Sequence, residues 1–335
     1  MTTATPTATD GMAIVTHGLT KRYGPRLAVD GLELAVPHRK VYGFLGPNGS
    51  GKTTTLRMLV GLIRPTAGAI EVLGEPYSWR DRQRLARTGA LIETPAFYPY
   101  LSGRDNLRVF GATGPAASRS RPDEVLEAVG LTDRARDKVR TYSLGMRQRL
   151  GIALALLSDP DLLLLDEPAN GLDPAGIVAM RELLRYLTGQ GKTVLVSSHI
   201  LPEVQQLADV VGIIDRGRLV RQGRLEELLT SGAQVRVRVA PAEVTAALAA
   251  LAATNAPVEP EVVDGQPTGR VVVRVPVERA ADVNRLLAQA GVYASGVEST
   301  SDLESVFLSL TAGAGMDVVE ASGPPAGWGR PGASA

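Results

Sequence analysis

"GPNGSGKTTT", residues 46–55, sets three glycines and a lysine between two apolar runs. On its N-terminal side "KVYGFLG" (40–46) reads as a buried strand running into a glycine turn. On its C-terminal side "KTTTLRMLVGLI" (52–63) reads as a helix. Strand, glycine loop and helix in that order are the context the G-x-x-x-x-G-K-[ST] pattern requires. Glycines let backbone N–H groups curl inward without Cβ clashes. The helix that follows points roughly half a positive charge at the same place. Gly46, Pro47, Asn48, Gly49, Ser50, Gly51, Lys52, Thr53 and Thr54 are therefore the candidate phosphate cradle. Lys52 would reach the β- and γ-phosphates of a nucleotide, and Thr53 would ligate Mg²⁺. The loop alone leaves kinases, GTPases, helicases and transporters open, although no guanine-reading N-K-x-D occurs.

With 335 residues the chain is too long for one ordinary domain, and 44% hydrophobic residues suffice for a sizeable core. A net charge of +1 gives no global pull toward nucleic acid or an anionic membrane, and no nucleic-acid partner is expected. The absence of cysteine excludes disulfides and thiolate metal sites. "MTTATPTATDG" lacks both the basic start and the apolar core of a signal peptide. No run of about 18 consecutive apolar residues, the length a bilayer span needs, occurs in the sequence. These features predict a soluble, cytoplasmic protein.

Residues 1–12 read as a disordered Thr- and Ala-rich leader, and residues 13–230 as one α/β domain. "DLLLLDEP" (161–168) and "KTVLVSSH" (192–199) are short continuous apolar runs, which suit a mostly parallel sheet covered on both faces. Residues of about 94–157 are more polar and helical in pattern, like an inserted helical subdomain. Beyond Ser231 the pattern changes. "QVRVRVA" alternates as a half-buried strand should, "PAEVTAALAALAA" (241–253) is helical, and "PVEPEVV", "GRVVVRVP", "VERAADVNRLLAQAG" and "VYASGVE" follow. That β-α-β-β-α-β order predicts a ferredoxin-like α+β domain over 231–311. A last helix, "SDLESVFLSLTA", closes it, with Ser301 or Asp302 as cap. Residues 312–335, rich in Gly, Pro and Ala, read as a disordered tail.

"LLLLDEP" (162–168) ends an apolar strand in two acids. In an open parallel sheet ligands sit at the strands' carboxyl ends. There Asp166 can hold Mg²⁺ through water, and Glu167 can take a proton from an attacking water. In isolation such a pair is more often a solvated strand end, but downstream of a phosphate loop the metal-and-base reading is favoured. "YSLGMRQRLGIALALL" (142–157) opens a helix that Ser143 would cap, and Gly145 would allow close backbone approach.

Residues 142–146 resemble the L-S-G-G-Q signature of ABC-type ATPases, and the R-Q-R-L after them agrees. Tyr142, Leu144 and Met146 depart from that signature, whereas the cap and second glycine remain. Further motifs resemble the same family in order. "NGLDP" (170–174) resembles the D-loop, with Asp173 near a dimer seam. "VSSHILPEV" (196–204) places one of the chain's three histidines, His199, where the family's histidine contacts the γ-phosphate and holds the attacking water. "LTKRYG" (19–24) resembles the adenine-stacking segment, so Tyr23 would lie on the base; a plain packing role stays open. Where the family usually has a Gln that touches Mg²⁺ and water, this chain has Glu93. An ionised Glu accepts and ligates but cannot donate as an amide does. "IETPAFYP" together with "YSLGM" resembles the bacitracin- and lantibiotic-resistance branch of bacterial exporters.

The resemblance covers roughly residues 14–229 and implies a P-loop NTPase core of the ABC type, with an antiparallel β subdomain and an inserted helical subdomain. It implies ATP and Mg²⁺ as cofactors, with Glu167, His199 and Glu93 catalytic and Thr53, Asp166 and Glu93 at the metal. It implies a head-to-tail dimer in which Ser143 and Gly145 of one copy face ATP held by the other. The implied partner is a separate transmembrane permease that keeps the ATPase on the inner face of the membrane and carries a drug, antibiotic or peptide. Phe97, Tyr98, Pro99 and Tyr100 are its candidate anchor, or else a local mini-core, in a chain with 4% aromatic residues. The alternative is a soluble ABC ATPase acting on DNA or ribosomes. Because every phosphate motif precedes residue 231, removal of residues 232–335 is predicted to leave nucleotide binding intact.

Overall fold

In the computed structural model of the chain the described residues are 11–78, 85–93, 96–114, 116–231, 233–263 and 266–311. Strands β1 (Met12–Tyr23), β2 (Arg26–Leu32) and β3 (Ala35–Pro37) lead into β4 (Val41–Leu45), whose five residues are all buried. The glycine loop joins β4 to helix α1 (Lys52–Leu59). β5 (Ala67–Val72) and β6 (Glu75–Tyr77) return to complete an antiparallel sheet, with β1 pairing β2, β3 and β5. Met12 already pairs with Pro37, so the chain is ordered from the start of β1, inside the stretch expected to be leader. Its backbone groups find partners on β3 that water would otherwise supply. Residues 1–10, the rest of that leader, lie outside the described residues, as do residues 312–335.

After β7 (Thr88–Leu91) come α2 (Gly103–Thr113), α3 (Pro122–Ala128) and α4 (Leu144–Leu156). Then follow β8 (Leu162–Asp166), α5 (Pro174–Gly189), β9 (Thr193–Ser198), α6 (Leu201–Leu207), β10 (Val210–Asp215), β11 (Arg218–Arg224) and α7 (Leu225–Ser231). The second sheet runs β11-β10-β4-β9-β8-β7, parallel except for the β10–β11 pair at one edge. The continuous apolar runs of β4, β8 and β9 are buried on both faces, as an interior parallel strand requires. Because β4, β9 and β8 are adjacent, the glycine loop, the acids after β8 and His199 leave the sheet at one edge. Helix α1 is shorter than its apolar pattern: it stops at Leu59, and Gly61, at φ +68°, turns the chain where the pattern extends to Ile63.

Beyond α7 lie β12 (Gln234–Arg238), α8 (Val244–Leu251), β13 (Val258–Val263), β14 (Gln266–Val273), α9 (Ala280–Gln289), β15 (Gly296–Thr300) and α10 (Leu303–Thr311). The third sheet, ordered β13-β14-β12-β15, is antiparallel throughout. Val235, Val237, Val271 and Val273 face Ala247 and Leu251 of α8 and Val283 and Leu287 of α9 in a core of their own. β15 sits later than "VYASGVE", because its pairing with β12 runs from Gly296 to Thr300 while Val292 is drawn into the core.

Helix α10 packs elsewhere. Leu303 and Val306 join Val204 and Ala208 after His199, Leu228 of α7, and Leu45, the residue before Gly46. Asp302 caps this helix by accepting from Ser305 N at 2.6 Å, and Gln205 Oε1 accepts from Leu303 N at 3.0 Å. Ser301, the other candidate cap, donates instead to Leu229 O at 2.9 Å. Residues after 231 therefore supply part of the apolar layer under the glycine loop. Cutting at residue 231 exposes that layer, so the truncation is expected to destabilise the nucleotide domain rather than leave it unchanged. A milder version is Leu303→Ala at a fully buried site, expected to cost about 2–5 kcal/mol in urea unfolding. A cost within about 0.5 kcal/mol would mean that α10 does not brace this layer.

Candidate functional site

The loop's glycines answer to particular neighbours. A Cβ on Gly46 would lie 2.3 Å from Ile214 O, and one on Gly51, at φ +111°, would lie 2.6 Å from Ala28 O. Lys52 is buried beneath the loop and donates to Gly46 O at 2.7 Å and Pro47 O at 3.2 Å. Burial holds its pKa below the usual lysine value, against the opposing pull of Glu167 and Asp166. Ser50 Oγ, also buried, has no hydrogen-bond partner among the described residues. A buried hydroxyl without a partner is costly, and an anion accepting from it would remove that cost. Tyr23, Arg26, Asn48, Gly49, Lys52, Thr53, Thr54 and Glu167 are among the residues lining a cavity of about 310 Å³ here. The free hydroxyl, the loop's N–H groups and the N-terminus of α1 suit a polyphosphate.

The acids stand at the same end of the sheet, beside the loop. Parallel pairing sets Asp166 opposite Ser197. Asp166 Oδ2 accepts from Thr53 Oγ1 at 2.7 Å, and Oδ1 accepts from Ser197 Oγ. The same serine oxygen accepts from Glu167 N at 3.0 Å. At Glu167 the chain adopts φ +46°, leaving the strand and turning the side chain toward the loop. Its Oε1 lies 3.6 Å from Lys52 Nζ, and its Oε2 lies 3.0 Å from His199 Nδ1 and 3.4 Å from Asn170 Nδ2. A hydroxyl and a carboxylate 2.7 Å apart form an oxygen donor pair suited to Mg²⁺ with its remaining waters.

The structure thus brings Lys52, Thr53, Asp166, Glu167 and His199 together. It adds Ser197 and Asn170, which the sequence reading did not single out. Ser197 could have been found from "VSSH" once β8 and β9 are aligned in parallel, because it is level with Asp166. Tyr23 borders the same cavity with 45% of its surface exposed, and Lys21 Nζ lies 4.9 Å from its ring centre.

Glu93 stands apart from this group. It follows β7 at φ +70°, is largely exposed, and pairs with Arg57 of α1, one turn beyond Thr53. Among the described residues no hydrogen bond joins it to Thr53, Asp166 or Glu167. A third carboxylate beside those two acids would be repelled, and the guanidinium of Arg57 draws it aside.

Ser143, Gly145 and Asp173 stand around a different hollow, of about 500 Å³, which shares no lining residue with the loop cavity. Ser143 Oγ caps α4 by accepting from Met146 N at 3.2 Å. Asp173 caps α5 by accepting from Gly176 N at 3.1 Å. A Cβ on Gly145 would meet nothing nearer than Leu172 Cδ2 at 3.7 Å, so its backbone is approachable. Tyr142, which replaces the signature's usual Leu, is buried and donates to Arg134 O at 2.6 Å. The aromatic segment divides: Phe97 packs against the core and edge-on to Phe110, while Tyr98 and Tyr100 are 52% and 74% exposed.

Residues 29–170 match the family pattern described as ABC transporter. The bacitracin transport ATP-binding protein of Bacillus licheniformis is 49% identical over 210 residues, covering 62% of this chain and 69% of that protein. The daunorubicin resistance ATP-binding protein of Streptomyces coeruleorubidus is 40% identical over 310 residues, covering 89% of this chain and 96% of that one. This second alignment is long enough to reach into the β12–α10 segment. Among solved structures, a dimeric post-hydrolysis ATP-binding cassette bound to ADP and phosphate has the same fold. Its TM-score is 0.57 at 24% identity, over 63% of this chain and 98% of that one.

Proposed function

The chain belongs to the ABC transporter ATP-binding family, and from that premise we propose that it is the ATP-hydrolysing subunit of a drug or peptide-antibiotic exporter. Relatives named for bacitracin transport and daunorubicin resistance support this cargo class. The observation that carries the chemistry is the position of Glu167, held between Lys52 and His199 at the carboxyl ends of three adjacent strands. When phosphate enters the loop, Lys52 exchanges its loop carbonyls and Glu167 for phosphate oxygens. Glu167 then accepts a proton from water as the water oxygen bonds to the γ-phosphorus and the bridging P–O bond breaks. His199, already 3.0 Å from Glu167, orients that water. Thr53 and Asp166 would hold Mg²⁺, which neutralises charge on the phosphates. Glu93 acts through Arg57 in the resting state rather than as a standing metal ligand.

The hollow at Ser143 and Gly145 shares no lining residue with the loop cavity of its own chain. It serves ATP held by a second copy, so two chains close head to tail over two nucleotides. Hydrolysis removes the γ-phosphate that both copies grip, and the pair opens. Exposed Tyr98 and Tyr100 offer a membrane permease an anchor. No helix among the described residues is long and apolar enough to cross a membrane, so attachment to one runs through that partner. Residues 13–230 form the ATPase unit. Within 231–311, strands β12–β15 with α8 and α9 form a ferredoxin-like accessory unit, and α10 ties it back to the ATPase.

Affinity purification of the full chain from detergent-solubilised membranes tests this reading. One integral membrane protein is expected to co-purify, with Mg²⁺-dependent ATP hydrolysis in the eluate. Hydrolysis without any membrane partner would remove the exporter assignment and leave the ATPase.

A further inference from the structure

Strand β2 runs along one side of the nucleotide cavity, and the glycine loop lets it come close. Gly51 has no Cβ, which would otherwise lie 2.6 Å from Ala28 O and 3.3 Å from Val29 Cγ2. Two residues before Ala28, and so on the same face of the strand, stands Arg26, the first residue of β2. Two residues before Gly51 stands Gly49, at φ +81°. A Cβ there would meet one atom within 4 Å, Arg26 Nη2 at 3.9 Å. Arg26 thus overhangs the loop beneath which Lys52 is buried. The two-residue turn at Gly24 and Pro25 sets Arg26 directly opposite Tyr23 in the β1–β2 pair. Both side chains therefore leave the hairpin on one face, and both line the cavity. The exposed Arg26 side chain makes no hydrogen bond or ion pair among the described residues. Nearby charges are already engaged. Lys21 donates to Arg64 O at 2.7 Å, and Arg218 donates to Asp30 Oδ2 at 2.6 Å. Glu167, the acid of the cavity lining, is held by Lys52 and His199. A guanidinium without a counter-ion above a phosphate loop is complementary to an anion in the cavity rather than to any group of the fold.

We propose that Arg26 is a phosphate-binding residue of the nucleotide site, closing on the outer side of the phosphate chain while Lys52 holds its inner side. This rests on the reading that the loop holds a nucleotide, and it adds a residue that lies outside the loop pattern. Guanidinium presents a planar fork of N–H donors that fits two phosphate oxygens at once, whereas an ammonium is a point charge. Because Arg26 is exposed and Lys52 is buried, salt screens the contribution of Arg26 more. With no partner in the empty site, Arg26 adds nothing to the stability of the fold, and its removal acts on binding alone.

Calorimetry on the full chain, with Mg²⁺-ADP and inorganic tripolyphosphate as probes, tests this role. ADP has no γ-phosphate and so reports one chain's own site rather than the closure of two. Arg26→Gln is expected to weaken both probes about tenfold at low salt, the loss of a charge-assisted hydrogen bond. The gap from wild type should shrink to about threefold or less in about 0.5 M NaCl. Arg26→Lys, which keeps the charge and loses the fork, should cost about threefold, and Arg26→Glu at least about a hundredfold. Without nucleotide, the thermal midpoint of Arg26→Gln should match wild type within about 2 °C. A lower midpoint would assign Arg26 to the fold and overturn the role. Equal affinities of wild type and Arg26→Gln for tripolyphosphate overturn it as well, since a loss confined to ADP places Arg26 on the base or ribose. If wild type itself binds no ADP, the nucleotide reading fails and this inference with it.

Discussion

Glu167→Gln is expected to lower ATP turnover by about 10²–10⁴-fold and to leave ATP bound between two chains. The amide keeps the size and an acceptor oxygen of the carboxylate, so the contacts to Lys52 and Asn170 survive in form. It cannot accept a proton from water, and hydrolysis stops at that step. The substitution also removes a negative charge that faces the phosphates across Lys52, which favours retention of ATP. The measurements are steady-state phosphate release and a sizing column run with Mg²⁺ and ATP, where the variant should elute as a dimer. Turnover within about threefold of wild type would show that another group takes the proton. Glu93 would then be the next residue to test, since its pairing with Arg57 is exposed and open to exchange.

A mixture of two inactive variants is expected to regain activity that neither has. Lys52→Ala removes the buried cation of the loop and should weaken nucleotide binding by at least about tenfold, near 1.4 kcal/mol. The loss is large because Glu167 and Asp166 then face the phosphates without Lys52 between them. Ser143→Arg removes the cap of α4 and fills the hollow beside Gly145. Each homodimer has two damaged sites. In a mixed dimer, the intact loop of the Ser143→Arg chain meets the intact signature of the Lys52→Ala chain, so one of the two composite sites is whole. ATP hydrolysis titrated across mixing ratios should rise to a maximum near equal amounts. A flat, inactive profile from folded, associating variants would mean that each chain supplies its own signature.

Much of the site was legible before any coordinates because its parts are local. Lys52 and Thr53 are fixed to the loop by spacing, and Ser143 and Asp173 cap the helices they begin. Asp166 and Glu167 end a strand whose apolar run announces it. The strand order that gathers them could not be read in this way, because it depends on which neighbours pair across long stretches of chain. Ser197 shows the difference. It is one of two adjacent serines in "VSSH", and the register of β9 against β8 places it between Asp166 and Glu167 N. Glu93 shows it in the other direction. Its position between loop and signature suggested the metal, and what the sequence did not show is that its side chain pairs with Arg57 of α1.

Motif order established the family and the nucleotide, because backbone conformation, capping and charge act within a few residues of each motif. Side-chain partnership was settled by packing: the Lys52–Glu167–His199 chain and the Arg57–Glu93 pair. The same holds for α10. Its amphipathic pattern reads as the end of a separate C-terminal domain, but Leu303 and Val306 lie against the layer beneath the glycine loop. An apolar face is non-directional and takes whichever buried surface the fold presents, and the periodicity of a helix carries no record of which surface that is.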